Sequence, residues 1–111
     1  MNWTTQKSLT IKDEGKISLY LLHKLRLAGK KGITSDDFEK GYCLTKRISE
    51  LSVFASIQRI PYTFTDSLGK HIGTKKRYVL DVEYPTSRRG FGTKGIKLRY
   101  HKGNLQYKVE A

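Results

Sequence analysis

The spacing most suggestive of chemistry is Gly90-Phe91-Gly92-Thr93-Lys94-Gly95, which carries the glycine pattern of a dinucleotide phosphate site. Such a site needs a strand before it and a helix after it, so that backbone N–H groups at the helix N-terminus meet the pyrophosphate. Here apolar residues alternate with basic ones directly afterwards, which is a strand pattern, and no nucleotide cofactor is expected. The stretch from Gly69 to Lys75 lacks the spacing of a P-loop. His23, His71 and His101 fall in separate segments, and Cys43 is the sole cysteine, so no metal-ligand spacing arises. Asp36 and Asp37 are adjacent and suit a helix N-terminus better than general acid–base work. These residues point away from an enzyme.

The remaining chemistry is ion pairing with a polyanion. The 111 residues hold 22 Lys and Arg against 10 Asp and Glu, a formal net charge of +12, and the isoelectric point is about 9.9. A surplus that large on one small domain makes DNA, RNA or an anionic membrane face the natural partners. No apolar run approaches the roughly 18 residues of a membrane span, and Met1 to Thr5 lacks the charged and apolar stretches of a secretory signal. A lone cysteine permits no intrachain disulfide and fits a reducing compartment. The expected location is therefore bacterial cytoplasm or nucleoid, with no membrane partner.

The charge is unevenly spread. Lys70, His71, Lys75, Lys76 and Arg77 cluster in one segment. No acid occurs between Glu83 and Glu110, where Arg88, Arg89, Lys94, Lys97, Arg99, Lys102 and Lys108 all lie. Phosphate contact is the expected role of both groups; a solubilising surface is the alternative. The Arg88-Arg89-Gly90-Phe91-Gly92 stretch has the composition of a basic arm that tracks a backbone or enters a minor groove.

The elements that must position these side chains follow from periodicity. Ser8 to Ile11 could be a short strand, and Asp13 could cap a helix over 14–28, whose stripe is Ile17, Leu21, Leu22, Leu25 and Ala28. Gly29 should end it. Thr34 is expected to cap a short second helix that stops before Gly41. A third helix over 44–54 buries Leu44, Ile48 and Leu51, with Ala55 continuing the stripe. Then the period shifts to two. Ile60, Tyr62 and Phe64 form one strand, and Tyr78, Leu80 and Val82 form its partner, around a long basic tip. After Pro85, a second hairpin pairs Ile96, Leu98 and Tyr100 with Leu105, Tyr107 and Val109, turning at Gly103-Asn104.

Gly32-Ile33-Thr34-Ser35-Asp36-Asp37, followed by Arg47-Ile48-Ser49-Glu50-Leu51 and by Lys75-Lys76-Arg77-Tyr78, resembles the small phage-associated winged helix-turn-helix DNA-binding family. The match covers roughly residues 14–82. It departs at Ser52-Val53-Phe54-Ala55-Ser56, apolar where the family carries basic residues and a glycine turn. The resemblance implies an α+β fold: three helices plus a β-hairpin wing over 1–83, with an additional C-terminal β-hairpin over 84–111. That second unit would pack on the first, on a partner, or on another copy of the chain as a homodimer.

The implied function is duplex-DNA binding that regulates transcription or host machinery, through a recognition helix over 44–54 and the basic hairpins. The expected contacts are Thr45, Lys46, Arg47, Ser49, Lys70, Lys75, Lys76, Arg77, Arg88, Arg89, Lys94, Lys97 and Arg99. Arg47 could instead brace the fold through Asp37 or Glu50, and Tyr42 could reach a phosphate or bury its ring with the hydroxyl exposed. Cys43 is expected to be a small buried or half-buried side chain. Two other functions fit the same composition. One is a phage-encoded inhibitor that binds a host protein or nucleoprotein complex. The other is RNA or single-strand binding, with Tyr84, Phe91, Tyr100 and Tyr107 as stacking platforms.

Overall fold

The computed structural model describes residues 3–5, 10–11, 17–86 and 92–110. It has two α-helices and a set of antiparallel strands. In chain order these are β1 (Thr4–Thr5), β2 (Thr10–Ile11), β3 (Ile17–Ser18), α1 (Leu19–Ala28), α2 (Leu44–Leu51), β4 (Ala55–Thr65), β5 (His71–Glu83), β6 (Ile96–His101) and β7 (Asn104–Val109). The strands pair as β1-β7-β6, β2-β3 and β4-β5. This architecture replaces the expected three helices plus a wing.

The expected second helix is where the two differ most. Thr34 does cap: its N–H donates to Asp37 Oδ2 at 2.8 Å, and its hydroxyl accepts from the Asp36 N–H at 3.3 Å. Yet only a single 3-10 turn follows, Ser35–Asp37, and Phe38 is already extended at φ −128°. So short a segment, with no apolar repeat, cannot offset the cost of nucleating a helix.

Boundaries elsewhere also shift. Ser18, not Asp13, caps α1, accepting from the Leu21 N–H at 3.4 Å; Asp13 lies outside the described residues. Gly29 ends the helix at φ +55° and bonds back to the Leu25 carbonyl. The helix expected over 44–54 stops at Leu51, leaving Val53 exposed in the turn beyond. The last hairpin turns at Lys102 and Gly103, both at positive φ, one residue earlier than Gly103-Asn104. Two consecutive positive φ angles match the right-handed twist of the flanking strands.

The core forms where these elements meet. Leu19, Leu21, Leu22 and Leu25 of α1 join Leu44, Ile48 and Leu51 of α2, with Ile17, Ile33, Ile57, Tyr78, Ile96 and Leu105. Each fully buried Leu or Ile contributes about 1.5–3 kcal/mol. Ile96 and Leu105 sit in that same cluster, so the C-terminal hairpin packs on this chain's own core. Gly32 permits a second junction. Ile33 exchanges two backbone hydrogen bonds with Tyr78, both 2.9 Å, on the free edge of β5. At φ +74°, a Cβ on Gly32 would lie 2.8 Å from the Tyr78 carbonyl oxygen, so only glycine allows this approach.

The β4-β5 hairpin is much longer than the two alternating segments suggested. It runs from the Ala55–Glu83 pair to the Thr65–His71 pair, with irregularities between Ser56 and Ile57 and between Phe64 and Thr65. Among its described side chains, only those at the base are buried, at Ala55, Ile57, Tyr78 and Val79. Beyond Arg77 no described side chain is buried. From Tyr78 to His71 the arm reaches about 23 Å at the usual rise per residue, and the molecule measures 55 × 29 × 22 Å.

Candidate nucleic-acid interface

The free part of the arm is basic. Between Gln58 and Leu80 the only acid is Asp66, against Arg59, Lys70, Lys75, Lys76 and Arg77. Because side chains alternate across a strand, the register divides these cations. Arg59 and Lys76 lie on one face with Pro61, Thr63 and Thr74. Lys75 and Arg77 lie on the other with Ile60 and Tyr62. A narrow ribbon with cations on both faces can sit between two phosphate strands.

The arm meets α2 at a cleft of about 320 Å³ lined by Leu44, Thr45, Thr74, Lys75 and Lys76, with Ser35 and Tyr78 closing it. Thr45, Lys75 and Lys76 are thus brought together, although some 30 residues separate them along the chain. Lys75 is held in place by Asp36, whose two carboxylate oxygens each accept from Nζ at 3.0 Å. A second cleft, on the arm's Tyr62 and Arg77 side, is lined also by Lys31, Gly32 and Thr34.

The other α2 candidates behave differently from one another. Lys46 is exposed and one residue from the cleft. Ser49 is exposed, but its hydroxyl donates to the Thr45 carbonyl at 3.1 Å, so its proton is already used. Arg47 is half-buried and pairs with Glu50 at 3.3 Å; of its two possible partners, Asp37 is taken by the Thr34 cap. Arg47 therefore braces the helix.

Tyr42 packs inward. Its ring stacks on Phe38 at 4.7 Å and meets Tyr20 edge-on at 5.9 Å. Its hydroxyl is buried and has no hydrogen-bond partner among the described residues, which corrects the expectation of an exposed hydroxyl. Burial pushes its pKa up, partly offset by the nearby Ser18 hydroxyl and Arg47. Cys43, expected to be buried or half-buried, is exposed at φ +59°.

The C-terminal candidates form a separate surface. Lys97 and Arg99 project from the outer face of the β1-β7-β6 sheet, opposite Lys108 and Gln106. Arg99 stacks 4.3 Å over the Trp3 ring, Lys108 lies 5.1 Å from that ring, and Arg99 Nε donates to Gln106 Oε1 at 2.9 Å. Lys97 and Lys108 are direct cross-strand neighbours, a like-charge pair tempered by Glu110, 3.3 Å from Lys108. Lys94 is exposed in the turn leading into β6, and Lys70 is exposed at the arm tip. Arg88 and Arg89 lie outside the described residues.

Trp3 and Arg59 were not among the expected contacts. Trp3 joins the sheet through the Thr4–Tyr107 pairing, which spans almost the whole chain and leaves no local pattern. Arg59 does carry a signal, since strand alternation extended back through Gln58 would have placed it on the arm. Tyr107, by contrast, packs against the core and is no open stacking platform.

Gly92 to Gly95 forms the turn before β6, and no helix follows it, so the dinucleotide geometry is absent there. Among the described residues, no group of three His, Cys, Asp or Glu side chains could hold a metal ion. No described helix is long and apolar enough to cross a membrane. No family model matches the chain, and neither the curated proteins nor the solved structures include one significantly similar to it.

Proposed function

We propose that this chain binds duplex DNA, with the β4-β5 arm and the exposed face of α2 engaging the phosphate backbone. The observation that carries this reading is the arm itself. It projects beyond the core, bears five Lys and Arg against one acid, and joins the α2 N-terminus at a cleft holding Lys75 and Lys76. Cations placed on both faces of a two-stranded ribbon suit a groove, whose walls are phosphates on either side. Binding of this kind would serve transcription control or interference with host machinery.

Phosphate neutralisation then dominates affinity. Lys46, Arg59, Lys70, Lys75, Lys76 and Arg77 make about six contacts, so affinity should fall by ~10³ between 50 and 200 mM salt. Fluorescence anisotropy titrations at several salt concentrations read this directly. Replacing Lys70, Lys76 and Arg77 together by Ala should lower the slope by about three charges. A salt-insensitive complex, or an unchanged slope in the triple variant, overturns the reading.

The outer face of the β1-β7-β6 sheet supports a second reading, single-strand or RNA binding, because Trp3, Arg99 and Lys108 combine an aromatic ring with cations there. Competition among duplex DNA, single-stranded DNA and structured RNA separates the two. If none competes at moderate salt, a protein partner becomes the better account.

A further inference from the structure

We propose that Leu68, at the tip of the β4-β5 arm, acts as an apolar wedge that enters a base step of the bound duplex and kinks it. This rests on the duplex-DNA reading above and goes beyond it, from backbone contact to deformation of the DNA.

Leu68 is 91% exposed, more than Leu27 at 71%, Val53 at 65% or Val82 at 52%. A lone exposed leucine is ordinarily unremarkable. Three features set this one apart. First, it stands at the far end of an arm that reaches about 23 Å past its last buried residue.

Second, its backbone is fastened. Asp66 Oδ1 accepts from the N–H groups of both Leu68 and Lys70 at 2.9 Å. The Asp66 N–H donates to the Lys70 carbonyl at 3.0 Å, and the Gly69 N–H to the Asp66 carbonyl at 3.0 Å. Gly69 closes the turn at φ +81°. The side chain is thus presented outward by an ordered loop, and little further ordering is required when it inserts.

Third, the charge of the arm that carries it suits a polyanion. Lys70 lies two residues beyond it, Lys75, Lys76 and Arg77 stand further down the same arm, and the sole acid of the arm, Asp66, has a carboxylate oxygen occupied by two backbone donors. A basic arm ending in a projecting apolar side chain matches the two surfaces of duplex DNA: phosphates outside, stacked bases within. Architectural proteins insert Leu, Ile, Phe, Met or Pro between base pairs from the minor groove and bend the duplex by about 20–90°. The cost is least at pyrimidine–purine steps, which unstack easily. Leu68 should therefore select flexible TA and CA steps without reading base edges.

The test uses an end-labelled 25-base-pair duplex with one central TA step, and the bend is read by energy transfer between the ends. The full chain should bend it, and should bind a version carrying a central mismatch about tenfold more tightly, because unstacking is already complete there. Leu68→Ala should keep the melting temperature and the salt slope but lose the bend and the mismatch preference. Leu68→Met should retain both.

A complex with no bend, or a Leu68→Ala variant that bends DNA as the parent does, overturns the wedge while leaving the binding reading intact. A parent chain that fails to bind duplex at low salt overturns the binding reading, and the wedge with it.

Discussion

Arg26 of α1 and Glu83 at the end of β5 form a two-pronged ion pair, with Nη2 to Oε1 at 2.6 Å and Nε to Oε2 at 3.2 Å. The same guanidinium donates to the carbonyls of Ile96 at 2.6 Å and Thr93 at 3.0 Å, and the Thr93 hydroxyl donates to Glu83 at 2.8 Å. One arginine therefore joins the helix, the long arm and the approach to β6. Gly92 lies beside this junction, so close to the Tyr84 carbonyl that a Cβ would collide with backbone.

Arg26→Ala should cost about 2–4 kcal/mol, since both side chains are only about a quarter exposed and Glu83 would be left without its partner. Arg26→Lys should recover only part of the loss, because an ammonium cannot form the fork. Urea denaturation measures both. Equal midpoints for Arg26→Ala and the parent would show that the junction contributes nothing.

In the proposed complex, Asp36 would compete with DNA for Lys75. Its carboxylate is 67% exposed on the side chain, so the pair itself adds little stability. Asp36→Asn should leave the fold intact, because Thr34 and Asp37 make the cap. It should tighten duplex binding several-fold at low salt by removing one repelling charge. Weaker binding in this variant would mean that Asp36 positions Lys75 for its contact.

Tyr42→Phe should be neutral or stabilising by about 1 kcal/mol, since it removes a buried hydroxyl with no hydrogen-bond partner among the described residues while keeping the ring packing. Thermal unfolding checks this. A loss above about 1 kcal/mol would reveal a partner for that hydroxyl.

His23 lies edge-on to Tyr100 at 4.9 Å. Burial, then the charges of Arg26 and Lys24, hold its pKa below the usual 6.5. The folded chain thus binds this proton less tightly than the unfolded chain. Its contribution to stability is complete above pH 6.5 and is lost as the pH falls below that, through the lower folded-state value. His23→Gln should flatten this limb of a stability–pH curve. An unaltered slope would assign the dependence to another group.

Composition alone made a polyanion the expected partner, because net charge is a sum and needs no geometry. The core stripes of Leu21, Leu22 and Leu25, and of Leu44, Ile48 and Leu51, were equally legible, since their spacing puts them on one helix face. The Thr34 cap was legible too, but not the helix after it. A cap lowers the cost of starting a helix, whereas continuing one here would need an apolar face to bury, and the segment has none.

Tertiary structure decided the rest. The arm's length depends on strand pairing across the whole of 55–83, which alternation marked only in part. The placing of Trp3 beneath Arg99, of Thr45 beside Lys75, and of Arg26 on Glu83 depends on contacts between segments far apart in the chain. Local periodicity carries no record of such contacts. They arise only when burying the shared core brings those segments together.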